Sequence, residues 1–175
     1  MSEFFLELFS EEIPAGLQRN LRERLLEDFQ KLFEKNLIKS KKNFSLSSPN
    51  RLVLIFENLE KQIKIKSAEI KGPKIDSSNQ ALEGFVRSNK IDKKDLYERN
   101  TEKGRFYFYK TKSKILRTHD LLIEFIPKIL EDYKWNKSMK WGDFSLNWGR
   151  PLKSILAVFD KKIVKFKFHH LVSSN

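Results

Sequence analysis

Residues 3–14 read Glu-Phe-Phe-Leu-Glu-Leu-Phe-Ser-Glu-Glu-Ile-Pro. As far as Phe9 the chain alternates. Phe4, Leu6 and Leu8 fall on one side and Glu3, Phe5, Glu7 and Phe9 on the other, the period-two pattern of a strand. Ser10 to Pro14 then has the make-up of a helix start, with acids near the positive end of the helix dipole and a proline in the first turn. The period changes next. Leu17, Leu21, Leu25, Phe29 and Leu32, with Leu26 and Phe33, form one stripe of a helix ending near Asn36.

Beyond that pair, Ser47-Ser48-Pro49-Asn50 is a turn cluster and Leu52–Phe56 an apolar strand. Ile63 and Ile65 alternate with Lys64 and Lys66, so Gln62–Ser67 is expected to be the antiparallel partner of that strand, ended by Lys71-Gly72-Pro73-Lys74. Residues 77–90 read as a short helix capped by Ser77 or Ser78, with Ala81, Leu82, Phe85 and Val86 as its stripe. Residues 92–103 read as charged loop. Arg105–Lys110 is an aromatic strand, Phe106 and Phe108 opposing Tyr107 and Tyr109. Thr118 is expected to cap a third helix running through Leu121, Leu122, Phe125, Ile126, Ile129 and Leu130, with Pro127 inside it. The strand Ile155–Phe159 leads to a hairpin turn at Asp160-Lys161-Lys162, after which Val164, Phe166 and Phe168 alternate with Lys165 and Lys167.

This order predicts an α+β fold, with a mainly antiparallel sheet and about three helices packed on it. A chain of 175 residues suits one region spanning 1–175, with subregions of about 1–75 and 76–175 as a finer division. There is no uninterrupted apolar run of spanning length and no signal-peptide pattern at Met1–Phe5, so no membrane role is expected. The absence of cysteine excludes disulfides and thiolate metal sites and makes a cytoplasmic setting the expectation.

The formal net charge of +12 points to a polyanion as partner. Of the 35 basic residues 26 are lysine, the usual solvated residue, and only nine are arginine, the better phosphate fork, so charge alone does not decide the matter. Catalytic chemistry is poorly represented. His169 and His170, as strand neighbours, point to opposite faces, and His119-Asp120 fits the first turn of a helix better than a metal site. Lys71-Gly72-Pro73-Lys74 has one glycine, and its proline lacks the amide that a phosphate cradle would use. No nucleophile, base and oxyanion site assemble, and no bound cofactor or metal is expected.

Trp135–Asp160 contains all three tryptophans, with Lys137, Lys140, Arg150 and Lys153 among them. Indoles beside cations suit RNA; the same residues also suit a packing corner in which Arg150 holds loop carbonyls. In that second reading Trp135 and Trp141 are mostly packed and Arg150-Pro151 fixes the approach to the Ile155–Phe159 strand. Arg51, Lys71 and Lys74 complete the candidate RNA-binding cations. Lys103-Gly104-Arg105-Phe106-Tyr107-Phe108-Tyr109 is similar to the aromatic strand of RNA-recognition motifs, with Arg105 at an aromatic position. One face of such a strand must fill the core, and Phe106 and Phe108 are the residues expected there.

Five blocks in order carry a resemblance to a known family. They are Phe5–Pro14; Ser48-Pro49-Asn50-Arg51-Leu52; Lys71-Gly72-Pro73 followed by Gln80-Ala81, Gly84-Phe85 and Arg87; Lys103-Gly104 before the aromatic strand; and Trp135-Asn136-Lys137-Ser138-Met139-Lys140-Trp141 leading to Arg150-Pro151-Leu152 and Ile155-Leu156-Ala157. Together the chain resembles the N-terminal region of the β subunit of bacterial heterotetrameric glycyl-tRNA synthetase. Asn50 stands where that family usually has Arg, Gly149 where it has a β-branched residue, and Lys90 where it has Gly.

The resemblance implies a truncated stretch of roughly the first quarter of a β subunit, without its later HD-type and anticodon-binding domains. It implies an assembly of two α and two β chains that charges tRNA(Gly) with glycine, using ATP with Mg through the α subunit. The present stretch would then be non-catalytic, supporting tRNA(Gly) recognition and assembly with the α subunit. The alternative is a docking domain for the α subunit or for other β domains, without RNA contact and anchored by the tryptophan stretch.

Overall fold

The computed structural model describes residues 2–135 and 137–174; Met1, Asn136 and Asn175 lie outside it, and with Asn136 one position of the tryptophan-containing block. In chain order the elements are β1 (Glu3–Ser10), α1 (Ala15–Lys35), β2 (Lys42–Ser48), β3 (Arg51–Glu57), β4 (Gln62–Ile65), β5 (Glu69–Lys74), α2 (Asn79–Asn89), β6 (Leu96–Thr101), β7 (Gly104–Lys110), β8 (Lys114–Arg117) and α3 (Thr118–Glu131). They are followed by β9 (Leu152–Phe159), β10 (Lys162–Ile163), β11 (Lys167–Phe168) and β12 (Leu171–Val172). The α+β class with antiparallel sheets and three α-helices is as expected.

Two compact units emerge, one of residues 1–63 with 116–175, the other of Lys64–Ile115. The boundary therefore differs from a division near residue 75. The reason is a long-range pairing: β1 is bonded to β3 on one side and to β9 on the other, so the two ends of the chain build one sheet, ordered β10-β9-β1-β3-β2. Phe4, Leu6 and Leu8 of β1 face inward with their register partners Phe56, Leu54 and Leu52, and Phe159, Ala157 and Ile155. Helix α1 brings Leu25 and Phe29, both fully buried, onto this face, and α3 brings Leu122 and Ile126. Phe4, Phe29, Phe33 and Phe56 meet there as tilted and edge-on rings, with centroids 4.9–6.4 Å apart.

Several local expectations give way to tertiary contacts. Helix α1 begins at Ala15 with Pro14 as its cap and no acid in the first turn. Glu11 and Ile13 instead use their amides to reach the carbonyls of Pro151 and Pro49, at 2.9 and 2.6 Å, which ties the link to two loops. Lys42–Ser48, in which Phe44 and Leu46 alternate with polar residues, is a strand that takes in Ser47 and Ser48 of the turn cluster: β2 and β3 form a hairpin about Pro49-Asn50. Because β2 takes that edge of β3 and β1 the other, β4 pairs with β8 instead. Thr118 opens α3 without capping it, since its hydroxyl donates to the Glu60 carbonyl. Neither Ser77 nor Ser78 makes a side-chain cap on α2; Ser78 is the cap position, and the Ser77 hydroxyl bonds to the Lys74 carbonyl. His169 and His170 occupy the turn between β11 and β12, not a strand.

The β9–β10 hairpin closes over Asp160 and Lys161, both at positive φ (49° and 65°). That is the geometry of a two-residue turn whose twist matches the strands. Asp160 also meets the Lys61 ammonium at 2.5 Å, and the hydrogen bond from Lys61 holds its carboxyl below the usual carboxylate range. A carboxyl acidified by folding contributes stability above its unfolded pKa and loses it as the pH falls through the folded one. Asp160→Asn, which keeps an αL-tolerant residue, is therefore expected to lower stability in denaturant titrations at pH 7. Its deficit should shrink toward zero as both proteins are taken below the carboxylate range. Phe29→Ala, at the centre of the ring cluster, should cost about 3–5 kcal/mol at any pH in the same titration.

Candidate nucleic-acid interface

The tryptophan stretch is built as a corner. Met139 and Trp148 form an antiparallel bridge, with backbone bonds of 2.8 and 3.1 Å, that folds the loop 139–148 back on itself. Trp148 is driven inside, to 2% exposure, and meets Trp135 edge-on at 5.0 Å, Tyr133 at 5.7 Å and Phe168 at 5.8 Å. Trp135 and Trp141 are partly buried against the same core. Burial pushes the Tyr133 phenol well up from its ordinary pKa, and its hydroxyl donates to the Leu21 carbonyl at 2.5 Å.

Gly149 has a packing role here. A Cβ at this position would lie 1.8 Å from Cε3 of Trp135, so the indole occupies the space of any larger residue. The departure from a β-branched residue is thus coupled to the placement of Trp135. Arg150 donates from Nε to the Glu12 carbonyl at 3.0 Å, and Pro151 accepts from the Glu11 amide, so this pair does hold the start of β9 against the β1–α1 link.

The candidate cations separate into groups. Arg51 and Lys153 both lie over Phe9, at 4.6 and 6.0 Å from its centroid, and each has an acid, Glu7 at 3.3 Å and Glu11 at 3.6 Å. Arg150 and Lys137 line a half-open cleft of about 250 Å³ with Leu17, Trp135 and Met139. Lys140 is exposed, and among the described residues neither it nor Lys137 has an acidic side chain within 4.0 Å. Lys71 and Lys74 belong to the other unit.

That unit is the more basic. Lys64–Ile115 carries 14 lysines and arginines against seven acids, so 52 residues contribute +7 of the total +12. Its sheet is ordered β5-β7-β6. Tyr107 and Tyr109 share a face with Gly72, whose missing Cβ would come within 3.0 Å of Phe85 on α2, so the helix lies on that side. Phe106 and Phe108 face the other way. Lys71 sets its ammonium 3.5 Å from the Phe106 centroid, and Lys74 lies at 5.8 Å. Tyr97 stacks on Phe108 at 6.1 Å, and Arg99 is 5.7 Å from the same ring. Glu69 accepts from the Tyr97 hydroxyl and from Arg99, both at 2.8 Å, and the first of these hydrogen bonds is the main cause of the raised Tyr97 pKa.

Phe108 is buried and Phe106 half-buried, but on the face away from α2, beneath their own sheet's side chains and outside the main core cluster, so the expectation that this pair fills the core is corrected. Tyr97 and Arg99 are missing from the sequence-derived candidates because residues 92–103 read as loop. Their equal parity on β6 was the available signal, obscured by Glu98, Asn100 and Glu102.

A family model described as Glycyl-tRNA synthetase beta subunit matches residues 4–175. The glycine–tRNA ligase beta subunits of Rickettsia felis and Rickettsia prowazekii are each 39% identical to the chain over all 175 residues, and that of Rickettsia canadensis is 38% identical. In each case the match takes in the whole of this chain and 26% of the relative, so the chain spans about a quarter of their length. Such relatives are subunits of a ligase of the aminoacyl-tRNA synthetase class. The chain belongs to the glycyl-tRNA synthetase beta subunit family. No helix among the described residues is long and apolar enough to cross a membrane.

Gly149→Ala should force the Trp135 indole out of place. The expected result is a loss of about 1–3 kcal/mol in chemical denaturation, with a changed near-UV tryptophan signal. Lys137→Ala with Lys140→Ala, both at exposed positions, should leave both quantities within error.

Proposed function

We propose that this region is a non-catalytic part of a glycine–tRNA ligase β subunit that helps to bind tRNA(Gly), within an assembly whose α subunit performs the ATP- and Mg-dependent glycylation. The assembly envisaged contains two α and two β chains working in the cytoplasm. The single observation that carries the tRNA part is the Phe106–Phe108 face of the small sheet, where Lys71, Lys74 and Arg99 interleave with aromatic rings in the more basic unit. Cations set over rings on an uncapped sheet face suit a phosphate backbone with unpaired bases beside it. Lys71 and Lys74 carry the cationic part, because among the described residues neither has an acidic side chain within 4.0 Å, whereas Arg99, Arg51 and Lys153 each already have a carboxylate partner.

The absence of RNA contact is the competing reading, with docking as the whole function. The tryptophan stretch is a weak anchor for it, because Trp148 is spent on the interior. The outer face of the five-stranded sheet, with Phe44, Leu46 and Ile163 exposed, suits docking better.

Titration of tRNA(Gly) against the full β subunit at several salt concentrations separates the readings. The double variant Lys71→Ala/Lys74→Ala is expected to weaken binding and to lower the log–log salt slope by about 1.4–1.8, because two fewer phosphates are neutralised. An unchanged affinity and slope would remove this face from the RNA interface. Robust glycylation by the region alone, with glycine, ATP and tRNA(Gly) but no α subunit, would overturn its non-catalytic role.

A further inference from the structure

The five-stranded sheet has a second face, and its register makes that face apolar. Ile163, Val158, Phe5, Ile55 and Phe44 are successive partners on β10, β9, β1, β3 and β2, one from each strand. Four inter-strand steps of about 4.8 Å give an unbroken apolar row of roughly 19 Å. Leu156, Val53 and Leu46 lie in the next row, on either side of Glu7. α1 packs its stripe against the opposite face, which leaves Leu46 51% exposed, Ile163 38% and Phe44 36%, with the central residues half-buried. A folded domain rarely leaves so continuous a patch open unless something covers it.

We propose that this face is the docking surface for another part of the same β-subunit polypeptide. Three observations select that occupant. First, the relatives that contain this region as 26% of their length carry nearly three times as much further chain, and a tethered partner acts at high effective concentration. Second, the amide of Ser174 donates to the Ile155 carbonyl at 3.1 Å, so a chain continuing as in those relatives starts along β9 of this same sheet. Third, Glu7, the one charge within these two rows, is neutralised by Arg51 of the neighbouring row. Glu7 and Arg51 pair at 3.3 Å, and Arg51 rests on Phe9, so the surface attracts an apolar protein face and not a polyanion. The inference rests on membership of the family and is independent of the RNA reading.

The test uses the full-length β subunit without its α partner. This region has no cysteine, so Leu46→Cys introduces one probe on the face and Lys31→Cys, on the exposed side of α1, serves as control. Maleimide labelling, followed on the peptides by mass spectrometry, should be at least about tenfold slower at position 46 than at 31, and independent of dilution. In a second variant that combines Phe44→Cys with Leu46→Asp, a substitution at an exposed site, labelling at 44 should be faster than with Leu46 retained, at unchanged circular dichroism.

Equal rates at 46 and 31 would overturn the proposal. So would protection that disappears on dilution, which means a second copy, or protection that needs the α subunit. Failure of these labelling results leaves the tRNA titration untouched, and failure of the titration leaves the labelling untouched.

Discussion

Everything in the larger unit depends on β1 having neighbours on both sides. Seven register partners join it to β3 and seven to β9, and the β9 partners come from about 150 residues away. A strand so enclosed has strand neighbours for its backbone donors and acceptors on both edges, and its side chains are divided between two faces. A slip of one residue would turn Phe4, Leu6 and Leu8 outward and Glu3 and Glu7 into the ring cluster around Phe29. The chain cannot tolerate that, so the register of β1 sets those of β2, β3, β9 and β10 in turn.

The middle of the chain forms its own unit. Residues 64–115 take neither edge of the β10-β9-β1-β3-β2 sheet and instead build a three-stranded sheet with α2 on one side. The two units divide the chemistry. The larger has the apolar core, the tryptophan corner and an apolar outer face. The smaller has most of the net charge for its size, with lysines and an arginine set over phenylalanine rings. Apolar matching and polyanion binding call for different surfaces, and here they are carried by different units.

The tryptophan stretch shows how a chemically suggestive sequence can be spent on packing. Three indoles among cations read equally as a stacking site and as a corner. The Met139–Trp148 bridge decides for the corner by pulling Trp148 inward and seating Trp135 on Gly149. What remains on the surface there is Lys137, Lys140 and a shallow cleft, a smaller feature than the sequence suggests.

The sequence by itself determined the strand–helix start, the stripe of α1, the aromatic strand β7, the helix at 118–131 and the hairpin at Asp160, because each is written in local periodicity or turn chemistry. It also held the ordered blocks by which the family is recognised. Tertiary structure alone decided which strands pair, that β2 and β6 are strands at all, and where Arg99 and Tyr97 meet Phe108. Polar strands such as Lys42–Ser48 and Leu96–Thr101 carry little periodic signal of their own; they are held by hydrogen bonds to a neighbour that local sequence does not name. The open apolar face belongs to the same class. Its residues were visible one by one, but only the register across five strands puts Ile163, Val158, Phe5, Ile55 and Phe44 in one row.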